Sequence, residues 1–370
     1  MKIAIIGAGP GGLYAALAAA KQNIDVVLYE KRKVGEGIVC GECIFDSLKI
    51  LPRPGKGLLR PVAEVILHGR NSYPFPLSKH RPLWMLDRKT WQQELALLAT
   101  SRGVRIHEHA RITPVLLKQM QKDYDWILDA SGAPSVASRL YGFTQEYFRE
   151  YLLAHQVVLE GDFAALMPRI KIAFFSDLPA EFQPAYSWVF PKDEKKANVG
   201  VVCTVRGTLR SEKLDLKKRL AEVLRAEGLA GMTVLETGGG LATGRRMPRL
   251  AYDNILLVGD AAGLTSALSG GGIDLACLSG VLAVNAIGRG KGAENYEREL
   301  THYLRERTAL EEVTIRKMRK LSFDQFDRLL AGVTAKSKCT RLLTGFRHLD
   351  MFCATLKWFG TKKVPPAWPV

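Results

Sequence analysis

Residues 7–12, GAGPGG, separate a short apolar run, KIAII, from LYAALAAAKQ. The 18 residues from 3 to 20 carry no charge and end in alanines, as a leader or a membrane span would. Gly7, Gly9, Pro10, Gly11 and Gly12 argue against both, because a continuous membrane helix does not gather them in one turn, whereas a strand bending sharply into a helix does. The longest later uncharged stretch, residues 254–288, is broken by Asp260 and Asp274 and is rich in glycine. No transmembrane span is expected.

A strand, GxGxxG, a helix and a second strand, DVVLYE, follow in the order of a dinucleotide-binding βαβ unit. In such a unit Gly7 permits the tight turn, Gly9 lets backbone approach a pyrophosphate and Gly12 lets helix and strand pack closely. Pro10 opens the helix, whose free N–H groups and positive end face the phosphates. Glu30 ends the second strand as a hydrogen-bond acceptor for an unphosphorylated ribose, with Lys31 beside it. The competing reading is a glycine-rich turn in an unrelated α/β domain.

Residues 254–287, NILLVGDAAGLTSALSGGGIDLACLSGVLAVNAI, repeat the strand-turn-helix grammar. Gly259 and Asp260 are placed at the carboxyl edge of a sheet, where ligands of open α/β folds bind. Gly270, Gly271 and Gly272, followed by Ile273, offer backbone that can lie against a flat ring. This turn lacks GxGxxG spacing, so a second nucleotide site fits poorly.

Together the two segments resemble FAD-dependent oxidoreductases of the p-hydroxybenzoate hydroxylase fold. With CGE at residues 40–42, YSWVFP at 186–191 and the triple glycine, the chain is most similar to the geranylgeranyl reductase family, which reduces carbon–carbon double bonds of isoprenoids. The resemblance runs from Met1 to about Gly290. It implies an α/β fold: a Rossmann-like FAD-binding domain, an interleaved antiparallel-sheet substrate domain and a C-terminal helical segment. The expected division is 1–150 with 236–290 for FAD, 151–235 for the substrate sheet and 291–370 for the helices. Arg88, entering the helix of LDRKTWQQELALLA, and Gly132, in the turn after the strand ending at Asp129, are implied to approach FAD. The connection over residues 107–123 is short and helical where many relatives carry a three-stranded meander.

Cys40 and Cys43 admit several readings. A structural zinc site needs four ligands, and no second CxxC or nearby histidine pair supplies the others. No metal is expected, and an iron–sulfur cluster would need more clustered cysteines. A redox CxxC normally opens a helix in a thioredoxin-like unit, whereas this one follows the ribose acid in a loop. The resemblance implies that Cys40, Gly41 and Glu42 lie against the flavin ring, with Cys40 as proton donor, redox gate or packing residue. Cys43 has no such parallel.

From His155 to Val205 the pattern is that of strands. A period of two puts Tyr186, Trp188 and Phe190 on one face, an aromatic wall for an apolar substrate if it looks toward the flavin and ordinary core if it looks away. Residues 301–370 hold 14 Lys and Arg against 6 Asp and Glu, half of the chain's net charge of +16. Such helices suit a cap over a substrate channel, a face on an anionic membrane, or a solvated surface. No nucleic-acid fold accompanies them, and no nucleic-acid partner is expected. Six cysteines among 370 residues, mostly scattered, suit a reduced cytoplasmic protein, with peripheral membrane contact as an extension.

These readings lead to an FAD enzyme that passes hydride to an isoprenoid or other apolar lipid. Its electrons would come from an external donor, NAD(P)H or a ferredoxin-like protein, since only one dinucleotide unit is visible. A flavin monooxygenase or halogenase on the same scaffold is the rival enzyme. A flavin-bearing lipid-binding or regulatory protein is the rival of another class.

Overall fold

In the computed structural model β1 (Lys2–Ile6), α1 (Pro10–Lys21) and β2 (Asp25–Tyr29) form the opening unit, with β1 and β2 paired in parallel. The structure describes residues 1–46, 48, 50–77, 83–207, 214–290, 292–334 and 368–369. The turn has a steric cause. Gly7 has φ +101, and a Cβ there would lie 2.5 Å from the Ala130 carbonyl oxygen. A Cβ on Gly12 would lie 1.9 Å from the Gly7 carbonyl oxygen, so only glycine lets α1 pack this closely on β1.

After the turn come β3 (Cys43–Phe45), β4 (Leu58–Pro61), β5 (Glu64–His68), β6 (Ser72–Pro76) and β7 (Leu83–Leu86). Then follow α2 (Arg88–Ser101), β8 (Arg105–His107), α3 (Pro114–Met120), β9 (Trp126–Asp129) and α4 (Val136–Tyr141). Asp87 caps α2 and Thr113 caps α3, each accepting a backbone N–H in the first turn. The short helical connection expected between β8 and β9 is present.

The second half begins with the long strands β10 (Glu150–Glu160), β11 (Arg169–Phe174), β12 (Ala185–Pro191) and β13 (Lys196–Arg206). It continues through α5 (Leu216–Ala226), β14 (Thr233–Ala242), β15 (Ala251–Tyr252), β16 (Ile255–Leu257), α6 (Ile273–Gly288), α7 (Gly292–Met318) and α8 (Phe323–Thr334).

Among the described residues three sheets form. The first has the order β15-β16-β9-β1-β2-β8, parallel except for the β15–β16 pair. Its central strands are buried along most of their length because α1 and the other helices cover them, and α1 itself is buried along most of its length. The second has the order β14-β10-β13-β12-β11-β5-β6 and is antiparallel except where β5 runs parallel to β11. The third is the small antiparallel sheet β3-β7-β4.

The second sheet crosses the expected boundaries. β5 and β6 come from within residues 1–150, and β14 spans the break expected at 235/236. The cause is non-local pairing: Glu64–His68 lies alongside residues 169–173 and extends the sheet by a hairpin.

α8 rests on that hairpin. The Asp327 carboxylate accepts the Arg70 backbone N–H at 2.7 Å and the Tyr73 hydroxyl at 2.7 Å. The basic segment CTRLLTGFRHLDMFCATLKWFGTKK, read above as helical, lies outside the described residues. Among the described residues no helix is long and apolar enough to cross a membrane.

Candidate active site

One cavity of about 950 Å³ opens between the parallel sheet and the seven-stranded sheet. That is near the upper end of the ~300–1,000 Å³ usual for ligand pockets, enough for a large cofactor and part of a second molecule. It lies at the carboxyl ends of the parallel strands, where the polypeptide leaves β1, β2, β9 and β16 in turns.

At the nucleotide end Gly7, Gly9, Pro10, Glu30, Lys31 and Gly132 line the wall. Nothing lies within 4 Å of where a Gly9 Cβ would be, so the turn presents open backbone to the cavity. The Glu30 carboxylate accepts the Ala8 N–H at 2.8 Å and the Arg32 N–H at 3.0 Å, which aims it across the turn. Gly12 is absent from the wall. Its role is the close helix packing described above.

In the middle stand Gly259, Asp260, Arg88 and the loop carrying Gly270, Gly271, Gly272 and Ile273. Asp260 accepts the Thr265 hydroxyl at 3.0 Å. Burial raises its carboxyl, against the opposing pull of that hydrogen bond and of the Arg88 guanidinium. Arg88 Nε is buried without a hydrogen-bond partner among the described residues. A guanidinium on a cavity wall with a free donor is suited to a phosphate oxygen.

At the far end β12 turns Tyr186, Trp188 and Phe190 inward, so the aromatic face looks into the cavity. Trp188 is fixed by Nε1–H donating to Asn198 Oδ1 at 2.8 Å, and Gly200 leaves room for the indole, since a Cβ there would lie 2.2 Å from it. Tyr186 donates its hydroxyl to the Ser269 carbonyl at 2.7 Å, tying the aromatic wall to the glycine loop. Beyond the aromatics the walls are aliphatic or aromatic, including Val65, Leu67, Phe75, Ile170 and Ile172.

Cys40 and Gly41 lie on the same wall, Gly41 against the Phe190 ring. The Cys40 carbonyl accepts from Gln156 Nε2 at 3.1 Å and Asn198 Nδ2 at 3.0 Å, and its sulfur accepts the Glu42 N–H at 3.3 Å. Cys43, on β3, also reaches the cavity, and burial drives its thiol well up despite the nearby Arg60. Both thiols are free.

Glu42 departs from expectation. It does not line the cavity, because its backbone is left-handed (φ +58) and its side chain turns behind the loop. There it accepts from Lys192 Nζ at 2.6 Å and from the Arg88 backbone N–H at 3.1 Å, joining the loop to α2 and to the end of β12. Sequence reading missed Gln156 and Asn198, although a polar residue inside an otherwise apolar strand was the available signal. It also missed the aliphatic hairpin β5–β6. Among the described residues no group of three or more His, Cys, Asp or Glu could hold a metal ion.

The pyridine nucleotide-disulphide oxidoreductase family matches residues 1–160. The digeranylgeranylglycerophospholipid reductase 1 of Methanopyrus kandleri is 30% identical over 305 residues, covering 76% of this chain and 78% of that protein. The chain belongs to the geranylgeranyl reductase family. The digeranylgeranylglycerophospholipid reductase of Thermoplasma volcanium is 25% identical, over 92% of this chain and 88% of its own.

Among solved structures, a geranylgeranyl bacteriochlorophyll reductase-like protein from Thermoplasma acidophilum superposes with a TM-score of 0.74. It is 21% identical and covers 96% of this chain and 98% of its own. The flavin-dependent halogenase CmlS has the same fold at TM-score 0.59 and 20% identity, over 92% of this chain and 66% of its own. This member of the family is therefore an FAD-dependent oxidoreductase of geranylgeranyl reductase type. The open backbone at Gly9 and the free donor of Arg88 fit a pyrophosphate, and the carboxylate of Glu30 fits a ribose.

Proposed function

We propose that the protein reduces carbon–carbon double bonds in the isoprenoid chain of a polar lipid. The observation that carries the reading is the continuity of one cavity from the phosphate-binding turn to an apolar chamber walled by Tyr186, Trp188, Phe190, Val65, Leu67 and Ile172. FAD, when bound and reduced, supplies the hydride.

The protein's own residues do the rest. The glycine turns and Arg88 hold the cofactor. The aromatic wall and the hairpin bind the chain by apolar burial, at about 25 cal/mol per Å² removed from water. An isolated alkene polarises little, so orientation in a dry chamber is the main source of rate. Cys40, whose backbone is clamped at the reacting end, is proposed as the side chain that bears the proton. An external donor, nicotinamide or ferredoxin-like, reloads the site, and the basic C-terminal segment meets an anionic membrane that presents the lipid.

The test is anaerobic. Protein reduced with dithionite should be reoxidised by geranylgeranyl lipids, with gain of two hydrogens per double bond in the product. Oxygen uptake tied to a hydroxylated or halogenated product would favour the monooxygenase or halogenase reading instead. Reduced flavin that persists across a broad set of prenyl lipids would favour a non-catalytic role.

A further inference from the structure

The glycine loop at residues 266–272 is held from two sides. On one, Tyr186 donates to the Ser269 carbonyl. On the other, the Ser266 hydroxyl donates to Glu311 Oε1 at 2.9 Å, and Glu311 belongs to α7, far from both phosphate-binding turns in sequence.

Ser266 is the hub of the loop. Its N–H donates to the Gly271 carbonyl at 2.7 Å, its carbonyl accepts the Gly270 N–H at 2.9 Å and its Oγ accepts the Ser269 N–H at 3.1 Å. Moving this one residue moves the three glycines that face the cavity.

Glu311 is itself fixed. Arg307 Nε donates to the same Glu311 Oε1 at 2.9 Å, and Arg307 Nη1 reaches Asp274 Oδ2, in the first turn of α6, at 3.3 Å. Ser266 and Asp274 are each 2% exposed and Arg307 is 7% exposed. Burying two ionisable side chains is costly, and an apolar contact would join α7 to α6 at less expense. Charged groups fix direction better than apolar ones do, and here the direction fixed is that of the loop.

We propose that Glu311, oriented by Arg307, is a positioning residue for FAD: through Ser266 it sets the height of loop 266–272 against the cofactor and so sets cofactor affinity. The inference rests on the FAD assignment but not on the identity of the substrate. α7 thus belongs to the cofactor site without touching it.

The experiment is titration of FAD into apo-protein, followed by flavin fluorescence, for wild type, Ser266→Ala, Glu311→Ala, the double variant and Glu311→Gln. Apo and holo thermal unfolding are followed in parallel. Each alanine variant should weaken FAD binding by about tenfold, the scale of a hydrogen bond to a charged group. The double variant should be no weaker than Ser266→Ala, because that variant already removes the Glu311 link. Glu311→Gln keeps an acceptor oxygen and should recover most of the affinity.

FAD affinity within twofold of wild type in Ser266→Ala, with melting temperatures lowered equally in both forms, would reduce the network to a structural joint and overturn the proposal. Additive losses in the double variant would do the same. Should Glu311→Ala fail to fold, Glu311→Asp, whose shorter side chain withdraws the carboxylate from Ser266, takes its place with the same expected loss. Wild-type apo-protein that takes up no FAD would instead defeat the cofactor assignment itself.

Discussion

Asn198 Nδ2 donates to the Cys40 carbonyl at 3.0 Å while its Oδ1 accepts from Trp188 Nε1, so one fully buried amide joins the cysteine loop to the aromatic wall. Asn198→Ala leaves the Trp188 N–H unpaired and the Cys40 carbonyl with Gln156 alone, at a cost of about 1–3 kcal/mol. It should also lower turnover, because the loop and the indole lose their common reference. Asn198→Asp keeps the acceptor for Trp188 but sets a carboxylate against the Cys40 carbonyl, and should be as damaging to turnover. Urea unfolding and steady-state rates with a prenyl lipid check both; a wild-type rate in either variant contradicts the clamp.

Cys40 itself is tested with the clamp intact. Cys40→Ala should retain bound FAD and its reduction by dithionite, while reoxidation by a prenyl lipid slows at least tenfold. Cys40→Ser, which keeps an O–H, should fall between the two. Stopped-flow traces at 450 nm would show this directly, and unchanged reoxidation in Cys40→Ala removes the thiol from the mechanism.

Asp46 predicts a pH dependence. Its Oδ2 accepts the Leu51 N–H at 2.7 Å, but Oδ1 is buried without a partner among the described residues. Burial moves its carboxyl from the ordinary 3.8 up to about 6. Between those values the folded protein holds a proton that the unfolded chain has released, so stability falls as pH rises through this window, by at most about 3 kcal/mol. Asp46→Asn should flatten that slope and be the more stable protein at pH 8. Urea midpoints at pH 4.5, 6 and 8 check it; parallel pH profiles for the two proteins contradict it.

Arg60 predicts a difference between two cations. Arg60 is 8% exposed, and its guanidinium donates to the carbonyls of Pro191, Pro168 and Arg169, bridging the small sheet to the seven-stranded one. Lysine cannot span three divergent acceptors, so Arg60→Lys should cost about 3 kcal/mol despite its equal charge. Calorimetric unfolding measures this; a change below about 0.5 kcal/mol would show that the bridge contributes nothing.

The parts legible in the sequence were those with local steric causes. Gly7 and Gly12 could be read because no Cβ fits at either place, whereas Arg88 was read from its place at a helix entry together with the family resemblance. The facing of Tyr186, Trp188 and Phe190 followed from a period of two once the cavity was known to lie on that side. Less legible were relationships made across the fold. Strand β5 pairs with residues about a hundred positions later, and nothing in VILH announces it. Glu42 was read from its motif as a flavin contact, yet one left-handed residue turned it to Lys192. Gln156 and Asn198 serve a loop carbonyl far away in sequence, a task that no strand pattern encodes.

The central claim, that reduced FAD and an isoprenoid chain meet in one cavity, is tested most directly by anaerobic reoxidation. Purified protein should carry FAD, accept two electrons from dithionite, and return to the oxidised spectrum with a geranylgeranyl lipid, one flavin turned over for each double bond lost. Protein that binds no FAD, or whose reduced flavin ignores prenyl lipids yet consumes oxygen to form a hydroxylated or halogenated product, would contradict it.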